Sequence, residues 1–337
     1  MQRFYRLALA SIGLVLGLAY AAAPAGAQTV DRIFVIMMEN QSFDNVVGRH
    51  DAVHVTEPDT PFITSLAENN GLASLYFGVT HPSLPNYLAA ISGQVFENHD
   101  DSPSCFARPR PVGPCHAYHN VPTIVDSLEA KGMTWSAYFQ SMPTTGYLGV
   151  QYPSSVALYA QKHNPFVYFS QIARSPAHLA LLKPLDQLKT DLALGAAAPQ
   201  FEFIVPDQCH DMHGQTPCSN FDALLREGDK TVKDLVGKIE ASPAFTANSL
   251  ILVTFDEDDY SSFLGCCDSP TFPSGAQFGG GHTVTIVVSG TPSGPLTSAV
   301  PYNEYSLLST IENVWGLPLL GKSADTANVH PMLDLVR

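Results

Sequence analysis

Short apolar stretches rich in β-branched and aromatic residues recur along the chain: Ile33 to Met38, Leu72 to Val79, Met133 to Phe139, Phe201 to Val205, Leu250 to Phe255 and Val284 to Val288. Near-continuous apolar runs of this length predict strands buried on both faces. Between several of them the apolar spacing changes to three and four, at Pro85 to Ile91, Thr123 to Ala130, Phe221 to Ile239 and Glu304 to Val314, which predicts helices. This alternation implies an α/β fold, with helices on both faces of a mostly parallel central sheet.

In such a sheet the ligand site lies beyond the carboxyl ends of the strands. Polar clusters stand at four of those ends: Glu39-Asn40 after the first run, Thr80-His81-Pro82-Ser83 after the second, Pro206-Asp207 after the fourth and Asp256-Glu257 after the fifth. Four clusters on one edge imply a shared site. The segments at about 99–122 and 143–199 are rich in Pro, Ser, Tyr and His, and are expected to be long loops or lids over that edge.

The N-terminus changes the domain picture. Arg3 and Arg6, an apolar run from Leu7 to Ala23, and small residues at Ala25 and Ala27 predict a signal peptide over 1–27 and a mature chain of 28–337 forming one catalytic domain. No later run is long and apolar enough to predict a stable membrane span. A secreted or periplasmic location follows, and the six cysteines, all beyond the leader, then predict disulfides. Their spacing favours Cys105 with Cys115 and Cys209 with Cys218; Cys266 and Cys267 pair with each other or are redistributed among the rest.

The formal charge is −14, from 17 basic and 31 acidic residues. That balance argues against a nucleic-acid partner, whose phosphate backbone needs a basic surface. It does not exclude a small phosphate ester, because a bound cation reverses the local field. Composition leaves the oligomeric state open.

Hydrolysing a phosphate ester requires neutralised phosphoryl oxygens, an in-line nucleophile and a stabilised leaving oxygen, all of which a divalent ion assists. Glu39, Asn40, Asp256 and Glu257 are hard oxygen ligands at strand ends, suited to such an ion. Ser83, between a strand and a helix, is the candidate nucleophile; an N-cap serine has the same local signature. Asn86, one turn on, is the candidate donor to a phosphoryl oxygen. His163, His210 and His282 are candidates for proton transfer or phosphate contact, while Asp207, Asp211 and His213 are further candidate ligands for a second ion.

The runs MMENQSFDNVVG (Met37 to Gly48), THPSLPNYLAAISG (Thr80 to Gly93), KHNPFVYF (Lys162 to Phe169), PDQCHDMHG (Pro206 to Gly214), VTFDE (Val253 to Glu257) and GGGH (Gly279 to His282) resemble the bacterial phosphoesterase family of acid phosphatases and phospholipases C, within the alkaline-phosphatase-like superfamily. The resemblance implies an α/β/α sandwich, ligand roles for Glu39, Asn40, Asp256 and Glu257, a phosphoserine on Ser83 and an oxyanion contact from Asn86. In related nucleotide phosphodiesterases a Thr-Phe-Pro-Asn run aligns with Ser83 to Asn86, which makes Ser83, not Thr80, the nucleophile. The chain departs from two-metal relatives in having Asp256-Glu257 for their Asp-His pair and Glu39-Asn40 for their single Asp, so one or two ions remain open, as does their identity among Ca, Mg, Mn and Zn. The expected activity is hydrolysis of phosphomonoesters, small-molecule or lipid. A phospholipase C or phosphodiesterase is the first alternative, and a non-catalytic phosphate or metal binder the second.

Overall fold

The computed structural model describes residues 30–47, 59–118, 120–271, 274–275, 278–292 and 294–336. The expected signal peptide lies outside them. In chain order the strands are β1 (Arg32–Met38), β2 (Gly71–Phe77), β3 (Trp135–Phe139), β4 (Gln151–Tyr152), β5 (Tyr159–Ala160), β6 (Leu182–Pro184), β7 (Phe201–Val205), β8 (Ser249–Phe255), β9 (His282–Ser289) and β10 (Leu296–Ser298). Eight of them form one sheet in the order β10-β2-β9-β8-β1-β7-β3-β6, and β4 with β5 makes a separate ribbon. Strand β9 runs antiparallel to both neighbours, and every other pairing in the large sheet is parallel.

Alternation along the central strands explains the layers. Ile33, Val35 and Met37 of β1 join one core with Leu250 and Leu252 of β8, while Phe34, Ile36 and Met38 join a second with Ile251, Val253 and Phe255. The first core is covered by helices Ser83–Ser92, Ile124–Ala130 and Glu304–Trp315, the second by Pro61–Asn69 and Phe221–Glu240. Helix Phe221–Glu240 shows how the pattern acts: Asn220 caps it by accepting from Ala223 N, and Leu225, Val232, Leu235, Val236 and Ile239 form its buried stripe. Each such side chain contributes roughly 1.5–3 kcal/mol by leaving water. This is the α/β/α sandwich with a mostly parallel sheet expected above.

The segment 143–199 holds short elements of its own, and Leu182–Pro184 extends the sheet as its edge strand. Too short to show a period, it was not legible as a strand. Disulfides Cys105–Cys115, Cys209–Cys218 and Cys266–Cys267 use all six cysteines. No helix among the described residues is long and apolar enough to cross a membrane.

Candidate active site

Parallel pairing sets the ends of β1 and β8 side by side, and the two antiparallel pairings of β9 bring the end of β2 to the same edge. Asp256 N donates to Met38 O at 3.1 Å, which extends the β1–β8 ladder and sets Glu39-Asn40 beside Asp256-Glu257. Asn40 has φ 47, a left-handed conformation that asparagine tolerates better than most residues. This lets its backbone N–H reach Asp256 Oδ1 at 3.2 Å and its amide nitrogen donate to Glu257 Oε1 at 3.2 Å.

Ser83 opens helix Ser83–Ser92 and is buried. Its hydroxyl is shared between Glu39 Oε2 at 3.1 Å and Glu257 Oε1 at 3.3 Å, residues on two different strand ends. Tyr87, one turn further, donates to Glu39 Oε1 at 2.5 Å. The structure thus brings together Ser83, Glu39, Asn40, Asp256 and Glu257.

Electrostatics show what this cluster lacks. Glu39, Asp256 and Glu257 are fully buried. Burial pushes all three carboxyls upward, and mutual repulsion adds to it, from Asp256 on Glu39 and from Glu257 on Asp256. Asn40 Oδ1 and Asp256 Oδ2 have no hydrogen-bond partner. Buried acids in this state are either protonated or matched by a cation. A set of hard oxygens converging on a serine hydroxyl fits a divalent ion.

A second cluster shares Glu39. One ligand atom each from Glu39, His163 and His213 lies within 4.8 Å of the others. His163 Nε2 is 3.2 Å from Glu39 Oε1 but lacks hydrogen-bond alignment. Burial, with Lys162 and His213 nearby, holds His163 well below the usual imidazole range, and burial with Lys162 lowers His213 to about 4. Neutral imidazoles are better ligands or acceptors than proton donors, so of the readings offered for His163 proton donation fits least. Asp211 stands behind, its Oδ2 3.7 Å from His163 Nδ1, and its carbonyl accepts from Glu39 N at 2.9 Å.

Four other candidates do different work. Asn86 is occupied by the turn before Ser83: its amide donates to Thr80 O at 2.7 Å and to Pro82 O at 3.3 Å, and its oxygen accepts from Thr80 N at 3.0 Å. With both N–H groups taken it holds the turn instead of an oxyanion. His282 bonds Ser74 O at 2.9 Å and stacks on Phe43, packing inside the sheet edge instead of facing Ser83. His210 pairs with Asp207 at 2.5 Å and lies 3.8 Å from Glu227, and Asp207 also accepts from Ser141. Both therefore belong to a neighbouring polar patch and not to the carboxylate cluster.

His81 stood in the polar cluster after the second apolar run without a role of its own, and three further groups, Tyr87, Asp101 and Glu304, were not singled out from sequence. His81 Nδ1 contacts Glu257 Oε2 at 2.6 Å, and its ring stacks on Tyr260. Tyr87 was signalled only by its spacing of four from Ser83. Asp101 accepts from Leu84 N at 3.0 Å and from Lys162 Nζ at 2.9 Å, a link from a distant loop with no local signal. Glu304 accepts from Val79 N at 2.8 Å and fixes the end of β2.

A large, mostly parallel sheet with one reversed strand is a fold shared with solved proteins of the alkaline phosphatase superfamily. A protein of that superfamily from Vibrio parahaemolyticus superposes with a TM-score of 0.52 at 12% identity, covering 86% of this chain and 67% of the other. The chain belongs to the Phosphoesterase family, whose model matches residues 54–318. Glu39 and Asn40 precede the matched region. A probable acid phosphatase of Kluyveromyces lactis is 28% identical over 88% of this chain and 61% of its own length. A phosphatidylinositol-3-phosphatase of Mycobacterium tuberculosis is 28% identical over 99% of this chain and 95% of its own. The chain spans about three fifths of the fungal acid phosphatases it matches.

Proposed function

We propose that this protein hydrolyses phosphoric esters, phosphomonoesters first, through a phosphoserine on Ser83. The observation that carries the reading is the Ser83 hydroxyl held at 3.1 and 3.3 Å by carboxylates from two strand ends. A hydroxyl acting only as a helix cap needs no such pair; a nucleophile beside a cation does.

In this reading Glu39, Asn40, Asp256 and Glu257 hold a divalent ion, which when bound neutralises phosphoryl charge and favours the ionised serine. Glu39 and Glu257 orient Oγ, and Glu39 accepts its proton. Oγ then forms a bond to phosphorus as the ester P–O bond breaks; the ester oxygen leaves with the bonding pair and is protonated from solvent, to which Glu39 releases the serine proton. Water then attacks the phosphoserine, the Oγ–P bond breaks with its pair on Oγ, and one proton of that water passes to Oγ as inorganic phosphate leaves. Tyr87 keeps Glu39 in place, and Asn86 fixes the turn that aims Ser83.

The relatives named above are phosphatases, which supports a monoester substrate, either a small ester or a phosphorylated lipid headgroup, over a phospholipase C type diester. The three disulfides support a secreted or periplasmic location. Ser83→Ala is expected to lower kcat on a phosphomonoester by roughly three orders of magnitude or more, with the fold retained by circular dichroism. Unchanged turnover would overturn the mechanism, and a faster rate on a bis-ester or on phosphatidylcholine would reverse the substrate order.

A further inference from the structure

Lys162 stands where the two acidic clusters meet. Its Nζ donates to Asp101 Oδ2 at 2.9 Å and approaches His213 Nε2 at 3.2 Å. The other oxygen of Asp101 accepts from Leu84 N, the residue after the nucleophile, so the ammonium is tied to the same helix end that carries Ser83. Its side chain is 19% exposed. Its charge acts on Glu39, Asp211, Asp256 and Glu257 alike.

The tautomer of His213 sharpens the point. Nδ1 lies 2.8 Å from Gly214 O, and a carbonyl only accepts, so Nδ1 carries the proton. The lone pair of the neutral ring is then on Nε2, facing Lys162. That lone pair is the one His213 would give to an ion in the Glu39–His163–His213 group. An ammonium donating to Nε2 and a metal ion bound to it exclude each other, by geometry and by like charge.

We propose that Lys162 is the fixed second cation of this site: it closes the Glu39–His163–His213 group to a metal ion and binds a non-bridging phosphoryl oxygen during attack by Ser83. The inference rests on the proposed role of Ser83 and of the Glu39, Asn40, Asp256 and Glu257 ion site. A lysine suits this task as a compact point charge with three donors: two are engaged by Asp101 and His213, and one remains for phosphate.

The test counts metal. Protein loaded with excess zinc or manganese and freed of unbound ion is analysed by elemental mass spectrometry, and inorganic phosphate is titrated as an inhibitor of p-nitrophenyl phosphate hydrolysis. The wild type should carry about one ion. Lys162→Met should carry about two and, when loaded with no more than one equivalent of ion, bind phosphate roughly a hundredfold more weakly, Lys162→Arg should keep one, and Asp101→Asn, which frees the ammonium without removing it, should weaken phosphate binding less. Glu257→Gln should lose the single ion while Lys162 stays in place, which separates the two sites. Two ions in the wild type overturn the proposal and leave the Ser83 reading standing. Phosphate inhibition unchanged in both Lys162→Met and Asp101→Asn also overturns it. No ion in the wild type removes the proposed ion site and this inference with it.

Discussion

His81 Nδ1 lies 2.6 Å from Glu257 Oε2, and its other nitrogen is 3.1 Å from the carbonyl of Ser262. Burial works against a charge on this ring, but the Glu257 hydrogen bond and charge outweigh it, so the imidazole is biased toward its protonated form. A cationic or N–H donating ring fixes one oxygen of Glu257 and leaves Oε1 for Ser83 and Asn40.

From this relationship His81→Ala should weaken the divalent ion by roughly 10- to 100-fold, the usual effect of losing a partner that orients a ligand. His81→Asn should recover part of the loss. The measurement is thermal unfolding against ion concentration; coincident titrations of variant and wild type would show that His81 does not position Glu257.

The strands that build the sheet centre were legible because each is buried on both faces and so reads as an uninterrupted apolar run, and their polar ends located Glu39, Ser83 and Asp256 together. What sequence could not supply was direction. His282 follows a glycine run at the correct edge, yet it stacks on Phe43 because β9 is reversed and its first residue pairs with Phe77 of β2. Asn86 has the spacing of a phosphate ligand and is consumed by the backbone of Thr80. Lys162 and Asp101 lie 61 positions apart, and their pairing depends on tertiary folding that no periodicity encodes.

Glu202 gives a pH prediction independent of the site. It is buried on β7 with both carboxyl oxygens unpartnered, because the Arg32 guanidinium donates instead to the carbonyls of Pro199, Gly195, Ala198 and Ala244. Burial outweighs the attraction of Arg32 and pushes the carboxyl up to about 8. Because the folded state keeps this proton while the unfolded chain loses it near the ordinary value of 4.5, stability falls as pH rises from about 4.5 to about 8 and is flat beyond. Glu202→Gln cannot ionise. The stability difference between wild type and variant, from urea unfolding at pH 5 and pH 9, should shift by a few kcal/mol against the wild type at the higher pH. A pH-independent difference would mean that this carboxyl titrates normally.

Gly281 tests how the site is held from behind. It has φ +79, and a Cβ there would lie 2.0 Å from the carboxylate of Asp258, whose other contacts are Ser261, Ser262 and, at 3.5 Å, His81 Nε2. Gly281 N also donates to Leu264 O, and its carbonyl accepts from Gly78 N, so neither backbone nor acid can move without disturbing the end of β2. Gly132 is the control: φ +74, with nothing within 4 Å of a Cβ. Gly132→Ala should cost about 1–2 kcal/mol, the left-handed penalty alone, and leave kcat unchanged. Gly281→Ala carries the same penalty plus the clash, at least about 3 kcal/mol together, and by displacing Asp258 and His81 it should lower kcat/KM as well. Equal losses of stability in the two variants, measured by urea unfolding, would show that backbone conformation, and not the packing of Asp258, is what the third glycine of that run provides.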